Sequence, residues 1–311
     1  MSVTTPPAVR YRNLIFDSAR WQEIALRPGD IVISTPPKCG TTWTQMLCAL
    51  LVFDGPDLPA PLEQLSPWVD MLNRPVGEVR ELLDAQEHRR IIKTHTPLDG
   101  VPLHPEVDYV VVGRDPRDVA ISWDHHVANL DLGRFLELRA AVVDPDDDPL
   151  PPLAPPPADP AERFREFLTS EDDSGPTLAL VLHHLGTAWE RRHLPNVHLV
   201  HYGDLRRDTA GELLRLGCAL GFDLAPERAA ELAAEASLER MRERVEEVAP
   251  SASQGIWRDT TRFLRTGGTG EWQVWSTPEL DEFYRQRVEA LSAPDLARWV
   301  HEGAGAVEAA R

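Results

Sequence analysis

Residues 30–43 read Asp-Ile-Val-Ile-Ser-Thr-Pro-Pro-Lys-Cys-Gly-Thr-Thr-Trp and decide the fold. The first six, 30–35, predict a short buried strand, and the apolar run over 41–53 predicts a helix. The loop between them brings Lys38 and Gly40 to the helix start, where free backbone N–H groups favour an anion. An ordinary strand-to-helix turn capped by threonine is the alternative.

The order of residues in this loop differs from that of an ATP-binding P-loop. In Gly-x-x-x-x-Gly-Lys-Ser/Thr the lysine follows the second glycine, whereas Lys38 precedes Gly40. The cation and the hydroxyls of Thr41 and Thr42 still suit a phosphate group. The pattern therefore predicts a P-loop-like phosphate-binding loop after the first core strand, and it disfavours a generic ATP-using enzyme.

Similar strand patterns occur further along the chain, and helical patterns accompany them. Strands are predicted to begin at 90–93 and to cover 108–113 and 196–202. Helices are predicted over 210–221, 226–241 and 277–291. Valine-rich strands that alternate with helices indicate a parallel sheet covered on both faces. We therefore predict a single α/β domain over 1–311, with ligands bound beyond the carboxyl ends of the strands.

A segment rich in proline and aspartate interrupts this domain at residues 144–160. Its composition supports neither a helix nor a strand ladder, so it is predicted to be a flexible loop. Two interpretations stay open: a surface insertion, or a mobile lid over the acceptor pocket, since long loops in compact domains are often functional.

Composition and charge exclude several classes of protein. The formal net charge of −18 argues against nucleic acid as a general partner, because such proteins bind phosphates through clustered lysine and arginine. An anionic ligand would need a local basic pocket. No apolar run approaches the roughly 20 residues of a membrane span, and no secretory signal is evident. Cysteines at 39, 48 and 218 lack metal-ligand spacing and suit a reducing cytoplasm.

Four motifs in order carry a family resemblance. They are Pro-Pro-Lys-Cys-Gly-Thr-Thr-Trp at 36–43, Lys-Thr-His-Thr-Pro at 93–97, Val-Gly-Arg-Asp-Pro-Arg-Asp at 112–118 and Phe-Leu-Arg-Thr-Gly-Gly-Thr-Gly-Glu-Trp at 263–272. In these motifs the chain resembles the cytosolic-type sulfotransferases, whose loop signature is Pro-Lys-Ser-Gly-Thr-Thr-Trp. Three further stretches, 51–59, 94–100 and 193–197, look like the actinobacterial branch, which includes glycolipid sulfotransferases. Cys39 replaces the serine of the signature.

The resemblance implies binding of 3'-phosphoadenylyl sulfate (PAPS) as donor, with 3'-phosphoadenosine 5'-phosphate (PAP) as product. Residues of the loop and of the other motifs would contact this donor: Lys38, Cys39, Gly40, Thr41, Thr42, Trp43, Arg114, Ser122, Tyr202, Ser237, Arg265, Thr266 and Gly267. Arg114, Ser122 and Arg265 would hold the 3'-phosphate, and Trp43 and Tyr202 the adenine. Thr266 stands where the family usually has a second basic residue, and Leu238 where many relatives have an aromatic ring.

Three residues are the candidates for the chemistry. Sulfuryl transfer depends mainly on in-line positioning and on stabilising developing charge. Lys38 would neutralise the leaving phosphate and Lys93 the sulfuryl oxygens. The resemblance implies that His95 is the general base that takes the proton of a lipid, glycolipid, phenol or alcohol hydroxyl. No metal-ligand cluster appears in the sequence, so a metal-independent reaction is predicted.

The remaining histidines receive weaker predictions. His125 and His126 could line the acceptor pocket, and the others are predicted to be structural or exposed: His183, His184, His193, His198 and His201. The thiol of Cys39, at a helix N-terminus, is predicted to have a depressed pKa and to make donor binding sensitive to oxidation.

Two alternatives to an active sulfotransferase stay open. A P-loop kinase would require magnesium and the Walker order of glycine and lysine. An inactive nucleotide-binding member of the fold is suggested by the departures at Cys39, Thr266 and Leu238. The C-terminal segment through which many relatives dimerise matches this chain at two of four positions, so the oligomeric state is left open.

Overall fold

A four-stranded parallel sheet forms the centre of the protein, as seen in a computed structural model that describes residues 3–144, 155–171 and 175–305. The strands are β1 (Ile31–Ser34), β2 (Ile91–Thr94), β3 (Asp108–Gly113) and β4 (Val197–His201), in the order β2-β1-β3-β4. Each observed strand lies within two residues of the predicted one. The predicted α/β class is confirmed.

Helices cover both faces of this sheet. The described residues contain α1 (Thr41–Phe53), α2 (Leu62–Leu65), α3 (Val76–Asp84), α4 (Pro116–Asn129), α5 (Leu132–Ala140), α6 (Pro160–Thr169), α7 (Leu178–Trp189), α8 (Tyr202–Arg207), α9 (Thr209–Ala219), α10 (Pro226–Glu235), α11 (Leu238–Glu243), α12 (Val245–Val248), α13 (Pro278–Leu291) and α14 (Pro294–Glu302). Short 3₁₀ helices occupy Ser18–Glu23, Ala252–Gln254, Thr260–Arg262 and Glu271–Val274.

The two faces of the sheet hold separate parts of the core. Along β1, Val32 packs with one cluster, to which α7, α13 and α14 contribute. Ile31 and Ile33 pack with the other cluster, to which α1, α9 and α10 contribute. Every residue of β1 is buried, which is typical of strands in a sheet covered on both sides. Successive side chains therefore tie the helices of both layers to one sheet.

One predicted helix is wrong in its extent. The pattern over 226–241 predicts a single helix, but α10 ends at Glu235 and α11 begins at Leu238. Ser237 has an extended backbone between them, and its hydroxyl accepts a hydrogen bond from Arg240 N at 3.4 Å. The serine caps the new helix, and the break turns residues 236–238 towards the cavity described below.

The predicted loop at 144–160 lies mostly outside the described residues, which omit 145–154. Helix α6 begins at Pro160, after the N-cap Asp159. Whether this segment covers the acceptor pocket stays a prediction, as does the extension of one domain over all of 1–311. Among the described residues, no helix combines the length and apolar character that crossing a bilayer requires.

Candidate functional site

The loop between β1 and α1 has a constrained backbone. Lys38 has a φ of +69° and Gly40 a φ of +104°. A Cβ atom at Gly40 would lie 2.8 Å from Cδ2 of Tyr202, so both the conformation and the space favour glycine. The N–H of Cys39 donates to Pro36 O at 3.4 Å. Gly40 ends this turn and is the N-cap of α1, which begins at Thr41.

The first turn of α1 leaves backbone N–H groups for a ligand. Thr44 N donates to Gly40 O at 3.0 Å, so the N–H groups of residues 41–43 precede the helical ladder. The hydroxyl of Thr41 is buried 2.5 Å from that of Thr35, while Thr42 is half-buried. All three residues of this turn line the cavity that follows.

A cavity of about 620 Å³ lies beyond the carboxyl ends of the strands. Each strand supplies a lining residue within two positions of its end: Pro36 after β1, His95 after β2, Arg114 after β3 and Tyr202 after β4. This is the location predicted for a ligand of a parallel α/β sheet. The four strands thus converge on one site.

The charge of this cavity is opposite to that of the protein. Six of its lining residues are basic: Arg12, Lys38, Lys93, Arg114, Arg206 and Arg265. Over the described parts of the chain, no aspartate or glutamate is among the lining residues, although the net charge of the sequence is −18. The cavity is therefore a local basic pocket of the kind that an anionic ligand needs in an acidic protein.

The cavity brings most of the predicted site residues together. Those that line it are Lys38, Gly40, Thr41, Thr42, Trp43, Lys93, His95, Arg114, Ser122, Tyr202, Ser237, Arg265 and Gly267. Cys39 and Thr266 are outside the lining. Thr266 is exposed and donates a hydrogen bond to Glu271 at 2.7 Å. Ser122 lies two turns into α4, as the spacing from Arg114 predicts.

The prediction for the Cys39 thiol is wrong. Its side chain is fully buried and packs with the hydrophobic core under the sheet. Burial raises the pKa of Cys39 to about 12, against a smaller lowering by Arg114. The thiol therefore stays protonated near neutral pH and lacks the exposure that oxidation requires. Cys39 acts as a small apolar residue of the turn.

Lys38 and Arg114 lie side by side at one wall. Lys38 Nζ donates to Nδ1 of His126 at 3.1 Å, and Arg114 donates from Nη1 to Lys38 O at 2.9 Å. Burial, with Arg114, Lys93 and Arg265 as further causes, lowers the pKa of Lys38 to about 7. The mutual repulsion of these cations would be relieved by a bound anion.

Arg114 is held between two loops and an aromatic ring. Its Nη2 donates to Gly268 O at 2.8 Å, and its guanidinium carbon lies 4.3 Å from the ring centre of Tyr202. Two buried nitrogens at this end of the cavity have no protein partner, Arg114 Nε and Trp43 Nε1. Unpaired buried donors beside lysine and arginine suit a polyanion that brings its own acceptors.

Arg206 is a basic lining residue that the sequence patterns did not reveal. It lies on α8, four residues after Tyr202, and donates to Gly267 O at 2.5 Å. Arg265, by contrast, pairs with Glu271. The signal for Arg206 was its helical spacing from Tyr202, which places both side chains on the same face. Arg206 supplies a cation close to Thr266, where the sequence lacks one.

Lys93 and His95 share an aromatic neighbour, Trp68. Lys93 Nζ is 4.1 Å from the ring centre of Trp68, and the His95 ring meets the indole edge-on, with centroids 4.6 Å apart. Burial lowers the pKa of Lys93 to about 7, opposed by Asp70 and Glu63. The three side chains form one packed unit at the end of β2.

The hydrogen bonding of His95 fixes its tautomer. Nδ1 lies 2.6 Å from Thr35 O, and because a carbonyl oxygen only accepts, Nδ1 carries the proton. Burial and the neighbouring Lys93 hold the pKa of His95 well below its usual range. The imidazole is therefore neutral at pH 7, and Nε2 has a free lone pair that can accept a proton.

Three further histidines line the cavity: His126, His183 and His184. His126 was predicted there and is stacked on Trp123, with centroids 5.3 Å apart. His125 is exposed and outside the lining. His184 is buried and forms a hydrogen bond with Ser34 Oγ at 2.9 Å, in agreement with the prediction that it is structural. The sequence did not predict that it also lines the cavity. His183 was missed in the same way.

The end of the cavity away from α1 is largely apolar. Its walls come from distant segments of the chain, and they include Leu14, Ile15, Phe16, Trp123, Leu130, Phe135, Leu180, Ile256, Trp257 and Phe263. Arg12, His183 and Tyr11 are polar residues at this end. The Tyr11 hydroxyl donates to Asp99 at 2.8 Å and lies 2.7 Å from Nε2 of His183. The site therefore joins a cationic donor end to an apolar acceptor end.

Lys38 and Lys93 are the only two lysines in the sequence, which otherwise uses arginine for its long basic side chains. Both lysines line the same cavity. A lysine ammonium titrates when buried, whereas arginine stays charged.

In the described part of the chain no group of three or more His, Cys, Asp or Glu residues is arranged to hold a metal ion.

Comparison with known proteins agrees with this geometry. A family model described as "Sulfotransferase domain" matches residues 28–299. A glycolipid sulfotransferase of Mycobacterium tuberculosis is 47% identical over 308 residues, covering 95% of this chain and 94% of the relative. Mouse sulfotransferase 1B1 is 25% identical over 287 residues, covering 88% and 87%.

Solved structures show the same fold. A mouse sulfotransferase complexed with PAP aligns with a TM-score of 0.67 at 20% identity, covering 94% of this chain and 97% of that one. A retinol dehydratase complexed with androsterone and PAP aligns with a TM-score of 0.66 at 23% identity, covering 88% and 83%.

Proposed function

Since the chain belongs to the sulfotransferase family and is a PAPS-dependent sulfotransferase, we propose that it sulfates a glycolipid hydroxyl, with His95 as base and Lys38 and Lys93 as cations. One observation carries the donor side of the proposal. An acidic protein encloses a cavity with six basic lining residues and, among those described, no carboxylate. Arg12 and Arg265 have carboxylate partners outside the lining, Asp17 and Glu271, and a ligand with several negative charges would neutralise the remaining excess.

The donor end fits the phosphates and the adenosine of PAPS. The N–H groups of residues 41–43 and the Lys38 ammonium would receive the 5'-phosphosulfate. Arg114 and Ser122 would hold the 3'-phosphate through charge-assisted hydrogen bonds. Because Glu271 already neutralises Arg265, Arg114 should contribute more to donor affinity, and Arg206 would compensate for Thr266.

The adenine would lie between Trp43 and Leu238, near the hydroxyl of Tyr202. Trp43 and Tyr202 are in edge contact, with ring centroids 5.7 Å apart. Gly267 is close to this group, since a Cβ there would lie 3.4 Å from Tyr202 Oη and 3.6 Å from Leu238 Cδ2. Leu238 and Ser237 line the cavity, which supports the predicted apolar contact on one face of the base.

PAPS supplies an activated sulfuryl group, and its transfer leaves PAP. His95 Nε2 accepts the proton of the attacking hydroxyl as the new oxygen–sulfur bond forms and the bond to the 5'-phosphate oxygen breaks. Lys93 offers positive charge to the sulfuryl oxygens, and Lys38 offers it to the departing phosphate. Thr35 O keeps His95 in the tautomer that leaves Nε2 unprotonated.

The glycolipid assignment rests on two facts. The relatives at 47% identity are named glycolipid sulfotransferases, and the acceptor end is lined mainly by apolar side chains. A volume of about 620 Å³ suits a ligand of ordinary cofactor size. Only the reacting sugar and the adjoining part of a lipid chain would fit beside the donor, so the rest of the lipid would stay outside. A phenol or a small alcohol is the competing acceptor.

The test is transfer of ³⁵S from labelled PAPS to a panel containing glycolipids, free sugars, phenols and alcohols, with and without EDTA. We expect label on glycolipid, retained when EDTA is present. Label only on small phenols would overturn the acceptor assignment and leave the reaction class intact. Transfer of ³²P from ATP with added magnesium would instead support the kinase alternative.

A cytoplasmic location stays a prediction.

A further inference from the structure

Asp70 is a buried carboxylate beside the proposed catalytic residues. It belongs to an extended segment that pairs with β2: Lys93 N donates to Pro67 O at 3.0 Å, and Val69 N donates to Lys93 O at 3.2 Å. Trp68 and Lys93 form a parallel bridge there. Asp70 is fully buried and lies outside the cavity lining. Any influence of Asp70 on the reaction must therefore pass through other residues.

Three side-chain donors converge on this carboxylate. Trp68 Nε1 donates to Oδ1, and the hydroxyls of Thr94 and Thr96 donate to Oδ2, the latter at 2.5 Å. Thr96 N donates in turn to the Thr94 hydroxyl at 2.9 Å, which directs the proton of that hydroxyl to Asp70. Thr94 and Thr96 flank His95 in sequence. The carboxylate thus fixes the chain on both sides of the proposed base.

The same carboxylate orients the indole that contacts both Lys93 and His95. Lys93 Nζ faces the ring of Trp68 at 4.1 Å, and His95 meets it edge-on at 4.6 Å. A Trp68 ring released from Asp70 could rotate about its side-chain bonds. Rotation would remove the cation–π contact of Lys93 and the packing of His95 together.

Asp70 also contributes charge. Burial lowers the pKa of Lys93, while Asp70 and, less strongly, Glu63 on α2 act in the opposite direction. The other charged or titratable groups facing this cluster are Lys38 on the loop, His95 after β2, His126 on α4 and Arg20 near the N-terminus. Of the two carboxylates that favour the ammonium form of Lys93, Asp70 has the larger effect.

Burying a carboxylate is costly, and packing alone would be served as well by an uncharged residue. Burial raises the pKa of Asp70, and its three hydrogen bonds oppose that shift. We propose that Asp70 is a positioning residue for sulfuryl transfer: it orients His95 through Trp68, Thr94 and Thr96, and it supplies negative charge beside Lys93. This inference rests on the proposed roles of Lys93 and His95.

The first test observes Lys93 directly and needs no activity. In protein labelled with [¹³Cε]lysine only Lys38 and Lys93 give signals, and a Lys38→Arg variant assigns them. The ring of Trp68 should shift the Lys93 resonance upfield. In Asp70→Asn we expect a pKa of Lys93 lower by about one pH unit, because the main favourable charge is gone, and a loss of most of the ring shift. An unchanged titration and an unchanged ring shift would overturn the proposal.

The second test is kinetic, with a matched control. Asp70→Asn should lower kcat roughly 10- to 100-fold, more at alkaline than at acidic pH, because Lys93 then loses its proton at lower pH. Its PAP affinity should stay unchanged, since PAP lacks the sulfuryl group that Lys93 would contact. Asp108→Asn removes a carboxylate at the other end of the sheet, paired with Arg89 and His198, and should leave the pH profile unchanged.

A third variant covers the case in which Asp70→Asn does not fold. Trp68→Phe keeps an aromatic face but removes the donor to Asp70, so kcat should fall severalfold with PAP affinity retained. A kcat equal to that of the wild type would contradict the positioning role. If the wild-type enzyme transfers no sulfate at all, the proposed function fails, while the lysine titration still decides whether Asp70 controls Lys93.

Discussion

The donor end and the acceptor end of the cavity are built in different ways. The donor end comes mainly from short motifs at the carboxyl ends of strands and in the 263–272 loop, and its Arg114 is buried and held by hydrogen bonds to Lys38 O and Gly268 O. The acceptor end comes from apolar side chains of segments far apart in sequence. Binding an anion requires particular residue types and a particular backbone conformation at each contact. An apolar wall requires only that the side chains lining it have a suitable shape. The two ends should therefore respond differently to substitution.

The largest effect is expected at the junction of the two ends. His95→Ala removes the proposed base and should lower kcat by about 10²- to 10⁴-fold, while PAP affinity is retained because the donor end is intact. Single-turnover transfer of labelled sulfate measures the first quantity, and calorimetry the second. His125→Ala is the matched control, since His125 is exposed and outside the lining. Full activity in His95→Ala would remove the base from the mechanism.

The second-largest effect is expected at the donor end, on the affinity for PAP. Arg114→Met should weaken PAP binding by roughly 10- to 100-fold, because hydrogen bonds to charged groups contribute about 1.5–3 kcal/mol. Arg117→Met is the control: Arg117 lies three residues further on, pairs with Asp115 and packs on Trp272. Acceptor KM should be unaffected in both variants. Equal losses in the two would show that arginine near this helix start matters for folding and not for the donor.

Protonation offers a third way to separate the ends. The pKa of Lys38, the lysine assigned to the 5'-phosphate, is about 7 before a ligand binds, and a bound polyanion favours its charged form. Above pH 7, PAP binding should take up a proton at Lys38, and its affinity should fall by about tenfold per pH unit. Calorimetry in buffers of different ionisation enthalpy measures this uptake. Lys38→Met should reduce it, and proton release on binding would contradict the sign.

The contrast also explains what could be predicted from the sequence. Hydrophobic strand patterns located all four strands, and local motifs located Lys38, His95, Arg114 and Tyr202 in one cavity. These signals are local in the chain. Ser237 was harder, because a helical pattern runs across it, and only its cap at the start of α11 reveals the break.

Residues that depend on tertiary neighbours were not predicted. Cys39 was expected to be reactive from its place near a helix start, but the hydrophobic core behind the loop buries it and raises its pKa. Asp70 belongs to no recognised motif, and the role proposed for it emerges only when residues 67–69 pair with β2. The presence of just two lysines in a chain rich in arginine was a readable signal for both.

The smallest effect is expected at the acceptor end. Leu132 lines the cavity and Leu194 does not, yet both are 38% exposed, which makes them a matched pair. Leu132→Ala should raise the acceptor KM about 3- to 10-fold, since each buried methylene contributes roughly 0.8 kcal/mol, while PAP affinity stays constant. Leu194→Ala should change neither quantity. A change in PAP affinity with Leu132→Ala would mean that the two ends are coupled, and the division drawn between them would then fail.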